Sequence, residues 1–313
     1  QTREDHHDAA PPHPSTCTTA RLVAGEDALP SARTLRFNRG MRTAFGAALF
    51  LAAAALFSLE PAVGRLTLPV LGGAPQVWIT CLLFFQSALL VGYLYAHGVA
   101  RLPTKAQPLV HGALCVAAGL ATRVVAPADP GDHFGAVDLL GHLALSVGPS
   151  FVLTSATAPL VQSWAHRAAL RDPYSLYAAS NAGSLAGLVA YPSLLEPLVD
   201  LGIQARAWVF VFAALSAVVV GCGVVAAVRA RAGERQGGVS APLATSVSSR
   251  ELARWILLAA IPSSLLSGVT TFVTTDVAPI PLFWIAPLAC YLASFVVPFS
   301  PRRRFNRSGP SRQ

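Results

Sequence analysis

The sequence is short of charge, of lysine and methionine, and of any cysteine pattern. Only 12% of its 313 residues are Asp, Glu, Lys or Arg, too few to solvate a globular surface of this size. Five cysteines (Cys17, Cys81, Cys115, Cys222, Cys290) form no CxxC and no metal-ligand spacing. Four of them sit in apolar runs, where a thiol packs as a small hydrophobe, so neither a disulfide framework nor a metal site is expected. No strand is followed by a Gly-rich turn, which excludes a dinucleotide cradle, and no cofactor is expected. No nucleophile–base pair marks an enzyme, so no catalytic residue is expected either. Acids are missing from the middles of the apolar runs, which argues against a coupled cation carrier with a mid-span carboxylate. Lys105 is the single lysine among 23 basic residues, and alanine is abundant, as a GC-rich bacterial genome would give.

What is present in quantity is apolar surface: 53% hydrophobic residues and a mean hydropathy of +0.53. Eight apolar segments run approximately over Thr43–Leu59, Val77–Ala96, Leu109–Ala126, Ala136–Leu153, Tyr174–Tyr191, Trp208–Val228, Trp255–Val273 and Ile280–Phe299. Each approaches the roughly 20 helical residues that cross about 30 Å of hydrocarbon. The expected fold is an all-α integral membrane protein, a bundle of about eight transmembrane helices with the lipid bilayer as its partner. Gly148-Pro149 should interrupt the fourth segment, so that it bends and continues into Ala156–Trp164. Residues 1–40 read as a disordered polar extension, 41–300 as the membrane domain and 301–313 as a basic cytoplasmic tail. Met41, the only methionine, is the expected natural start.

The net charge of +8 would suggest nucleic acid in a soluble chain, but here the arginines fall in loops and tails, so no nucleic-acid partner is expected. They cluster before span one, after spans two, four and six, and after span eight, while the alternate loops hold Arg65 and Arg206. Basic residues in short loops stay cytoplasmic, which places both termini inside.

The fifth segment is rich in small residues. Ala179, Gly183 and Gly187 recur every fourth position and share a helix face, the pattern of close backbone packing in membranes. Asn181 and Ser184 form a polar patch beside it. Glu196, between Pro192 and Pro197, is a candidate lip of a vestibule above that patch. In span seven Ser263, Ser267, Thr271 and Thr274 form a hydroxyl stripe leading to Asp276. That stripe could line a cavity between spans five and seven or serve as hydrogen-bonding glue. Glu60 and Arg65 are a candidate ion pair at the outer interface. Asp138 and His142, with His133 near them, have metal or proton-relay spacing but lack further ligands, and an interfacial pair is the expectation. His111 and Arg123 read as interface anchors of span three.

Several of these stretches together resemble a known family. The residues are Glu60-Pro61, Leu68-Pro69-Val70-Leu71-Gly72-Gly73, Val77-Trp78-Ile79-Thr80-Cys81, Gly92-Tyr93-Leu94-Tyr95-Ala96-His97, Ser155-Ala156-Thr157-Ala158-Pro159-Leu160, Asp172-Pro173-Tyr174-Ser175-Leu176-Tyr177, Pro262-Ser263-Ser264 and Pro281-Leu282-Phe283-Trp284. In this order they resemble the bacterial membrane proteins that fuse a transporter-like, major-facilitator-type region to a spermidine-synthase-like domain. The resemblance covers about Met41 to Phe299, the membrane half only. It implies a multi-pass protein of the bacterial inner (plasma) membrane. Two functions follow from it: a small-solute transporter or permease-like module, or a non-transporting anchor for a spermidine-synthase-like domain. It carries no aminopropyltransferase residue onto this chain.

Overall fold

The computed structural model describes residues 32–71, 75–127, 135–168, 170, 173–235, 247–272 and 285–299. Among them there are helices and connecting turns and no strand. The helices are α1 (Ala32–Leu71), α2 (Pro75–Val99), α3 (Ala106–Ala121), α4 (Ala136–Ser146), α5 (Gly148–Ser155), α6 (Thr157–Arg167), α7 (Pro173–Ala190), α8 (Glu196–Leu198), α9 (Leu201–Arg235), α10 (Ser249–Phe272) and α11 (Ile285–Phe299). One π-helical turn, Tyr191–Leu195, joins α7 to α8. Among the described residues each apolar segment falls mainly on a helix or a bent pair of helices, although α3 ends at Ala121, short of Ala126. Among the described residues four helices are long and apolar enough to cross a membrane, or five where the bent pair is counted as one span.

Two boundaries differ from expectation. Residues 32–40 belong to α1, although the polar character of that stretch suggests disorder; no proline interrupts it, and a helix already nucleated by the apolar run propagates cheaply. At its other end α1 continues through Pro61 and Pro69 to Leu71 instead of stopping at Leu59. The bend expected in the fourth segment is present: Ala136–Ser146 and Gly148–Arg167 meet at 67°.

Helix direction is recorded in which residues share a core. One cluster joins Met41, Phe45 and Leu49 of early α1 to Ala96 and Val99 of late α2, Leu160 and Trp164 of α6, Leu176 of early α7 and Val219 to Ala226 of late α9. A second joins Leu56 to Val63 of late α1, Cys81 to Ala88 of early α2, Cys115 and Ala118 of α3, Leu139 to Leu153 of α4 and α5, and Trp208 and Phe212 of early α9. Early residues of one helix meet late residues of the next, so α1, α2, α3, the bent α4–α6 unit, α7 and α9 alternate in direction across two stacked layers. Arg39, Arg167 and Arg229 all neighbour the first layer in sequence.

The most extensive helix pair is α1 with α7. A Cβ added at Gly183 would fall on the Phe50 carbonyl oxygen, and one added at Gly187 on that of Ala54; Gly46 lies one turn earlier, opposite Ala179. Residues 46, 50 and 54 thus meet 179, 183 and 187 in ascending order, so the two helices run parallel with backbone against backbone. Ser58 adds hydrogen bonds to the Ala54 carbonyl (2.8 Å) and to the Gly187 carbonyl (3.4 Å). α11 covers another part of α7, and the main packing partner of α10 is α11. No residue of α10 is buried.

Candidate functional site

The predicted site residues of α7 make their hydrogen bonds within their own helix. The Asn181 amide donates to the Tyr177 carbonyl of its own helix (2.9 Å), and the buried Ser184 hydroxyl donates to Ser180 (3.3 Å). Glu196 stands 15 residues further on, roughly 22 Å along a helical path at 1.5 Å per residue. Ser267 and Thr271 are exposed on α10, whose main packing partner is α11, while Thr274 and Asp276 lie outside the described residues. Hydroxyl spacing in the sequence fixes which residues share a stripe, not which neighbour the stripe faces.

The expected Glu60–Arg65 pair is replaced by another. Five residues apart on one continuous helix, the two side chains point about 140° away from each other, whereas pairing needs three or four. Arg65 instead binds the Glu196 carboxylate at 2.9 Å, tying the end of α1 to the turn after α7. The π-turn that delivers Glu196 carries Pro192, whose missing N–H favours such a break, and buries Tyr191 beside the Arg65–Glu196 pair. Asp138 accepts a bond from the Gly135 amide (2.8 Å) at the start of its helix. His142 bonds the Val125 carbonyl (2.9 Å) and so ties α4 to the segment that follows α3; His133 lies outside the described residues.

A different constellation sits inside the bundle. His111 is no interface anchor: it is 1% exposed, with Nδ1 3.0 Å from the Tyr95 hydroxyl of α2 and Nε2 3.6 Å from Cys115 Sγ one turn along. Next to His111 and Cys115 is a cavity of about 10 Å³, lined also by Thr154 of α5, Thr157 of α6 and Ser216 of α9. That volume is about what one water molecule needs. Thr154 and Thr157 flank Ala156, the single residue that interrupts α5 and α6. Buried Ser150 and Ser155 continue the row of hydroxyls, and Trp208 donates its indole N–H to Ser150 (3.1 Å). Sequence reading missed the site because it draws on α2, α3, the bent unit and α9. The available signal was a histidine, Tyr95 and a cysteine inside apolar runs, where ionisable residues are rare.

Comparisons with models of known families, with curated proteins and with solved structures find no match for this chain.

Proposed function

We propose that the chain is a multi-pass protein of the bacterial inner membrane, with eight spans and both termini cytoplasmic, and that its bundle is a permease-like module for a small solute. The resemblance to fused transporter-like and spermidine-synthase-like proteins points the same way. The observation that carries the reading is the discontinuous α4–α6 unit, bent by 67° and interrupted again at Ala156, with buried Ser150, Thr154, Ser155 and Thr157 along it. Broken helices lined by hydroxyls at membrane depth are how many transporters build solute sites. The pathway then runs along α2, α3, α5–α6 and α9, not between α7 and α10.

A second reading has its own support. α10 is apolar enough to span and has no buried residue, which suits a module that presents helices to another domain or chain. In that case the protein is a non-transporting anchor or scaffold for a cytoplasmic partner such as a spermidine-synthase-like domain.

Reporter fusions test the topology. Those at residues 103, 232 and 305 are expected to read cytoplasmic and those at 130, 202 and 277 external; a single reversed loop removes a span from the proposal. Uptake of a panel of radiolabelled solutes into proteoliposomes separates the two functions. Saturable uptake, lost in Thr154→Val and Thr157→Val and kept in Asn181→Leu, supports the permease. No uptake of any solute by the wild-type protein leaves the anchor. Asn181→Leu is expected to cost at most about 0.6 kcal/mol of stability, the average for a polar contact between membrane helices, because its amide bonds its own helix.

A further inference from the structure

The interior cluster has the makings of a metal site. His111 and Cys115 are four residues apart on α3, which puts imidazole and thiol on one face, one above the other. The Nε2–Sγ separation is 3.6 Å. With metal–sulfur and metal–imidazole bonds of about 2.3 and about 2.0 Å, an ion spans that gap at an angle of roughly 110°. Both side chains also line the cavity, beside the hydroxyls of Thr154, Thr157 and Ser216. The other imidazole nitrogen is already held by the Tyr95 hydroxyl at 3.0 Å. A ligating histidine is normally oriented in this way, by a hydrogen bond at the ring nitrogen that does not bind the metal.

Charge selects the ion. Burying a net charge inside a membrane bundle is costly, and no acid lines this cavity. On binding, Cys115 gives up its S–H proton to solvent, and the thiolate with a monovalent cation makes a neutral unit. A divalent ion would leave one positive charge uncompensated. Thiolate and imidazole are also the donors that soft ions prefer. We propose that Cys115 and His111, oriented by Tyr95, form a binding site for a single soft monovalent cation of the Cu(I) class. The site is independent of whether the bundle transports a solute.

The test uses the full chain, purified in detergent under reducing, anaerobic conditions, with Cu(I) as the probe and a Cu(I)-specific chelator as competitor. The expected result is one Cu(I) retained per chain, with X-ray absorption showing one sulfur and at least one nitrogen ligand. Cys115→Ser and His111→Gln are each expected to weaken retention by more than a hundredfold, and Tyr95→Phe by about tenfold, the lower end for loss of an orienting partner. Cys222→Ser, which removes a cysteine that is also buried but has no histidine on its helix, should change nothing. Thermal melting of each apo variant shows whether it is folded; Tyr95→Phe, the mildest change, keeps the test open if a ligand variant is not. Failure of the wild-type protein to retain Cu(I), equal loss in Cys222→Ser and Cys115→Ser, or tighter binding of Zn(II) than Cu(I) would each overturn the proposal.

Discussion

Gly183→Leu and Gly187→Leu are expected to abolish recovery of folded protein, and even alanine at either position should lower thermal stability sharply. At Gly183 an added Cβ meets the Phe50 carbonyl oxygen, with the Phe50 Cα and carbonyl carbon both at 2.8 Å; at Gly187 the same three atoms of Ala54 are met. These are backbone atoms of α1, so no rotamer change can relieve the clash. The helices must separate, and the separation would run along the whole parallel seam and break the Ser58–Gly187 hydrogen bond. Overpacking a core costs about 1–3 kcal/mol where neighbours can shift; here alanine belongs at the top of that range. In lipid no hydrophobic drive returns the helices to contact, since close packing is itself what holds them. Gly46→Ala is the control on the same seam: its Cβ would find only the Ala179 methyl at 3.9 Å, an ordinary contact. Gly221→Ala is the control elsewhere, with nothing within 4 Å. Size-exclusion profiles and melting curves of the four alanine variants check this, and a Gly183→Ala protein as stable as Gly46→Ala would contradict the packing.

That seam shows what sequence alone reveals here. Three small residues at four-residue spacing announce a face that another backbone can approach, because membrane helices associate through such faces. The apolar segments announce helices, and Gly148-Pro149 announces the break that the structure places at Val147. The partner of each face is less legible. Nothing in the local pattern says that Gly183 meets Phe50, that Arg65 reaches 131 residues along the chain to Glu196, or that α10 leaves its serines exposed. His111 shows the same limit: five residues into α3 it looks like an interface residue, and only Tyr95, brought over by α2, makes it part of an interior site. Spacing fixes which residues share a helix face, and tertiary packing alone fixes what that face meets.

The second large effect is expected from Gln107→Leu, at the end of the bundle where α2, α3 and α6 meet. Gln107 is fully buried, and its amide satisfies three groups at once. Its oxygen accepts the indole N–H of Trp164 at 2.7 Å, and its nitrogen donates to the carbonyls of Leu102 (2.7 Å) and Ala100 (3.3 Å) in the α2–α3 connection. Leucine fills similar space but satisfies none of them. Arg167 also donates to the Ala100 carbonyl at 2.7 Å, so that group keeps a partner. The Trp164 N–H does not. The indole is fully buried and, like Pro108, packs against Gly223, where an added Cβ would lie 2.9 Å from each, so it cannot swing out to find water. An orphaned buried donor costs about 1–3 kcal/mol, and the lost bond to Leu102 adds about 1 kcal/mol. The total, roughly 3 kcal/mol, is large against the marginal stability of a folded chain. Trp164→Phe removes the orphan without refilling its space, so the double variant Gln107→Leu/Trp164→Phe should be less damaged than the two single losses added together, by about 1–2 kcal/mol. Denaturant unfolding of the four proteins in detergent measures that coupling. Strict additivity would mean that the Trp164–Gln107 bond contributes nothing to holding α6 against α3.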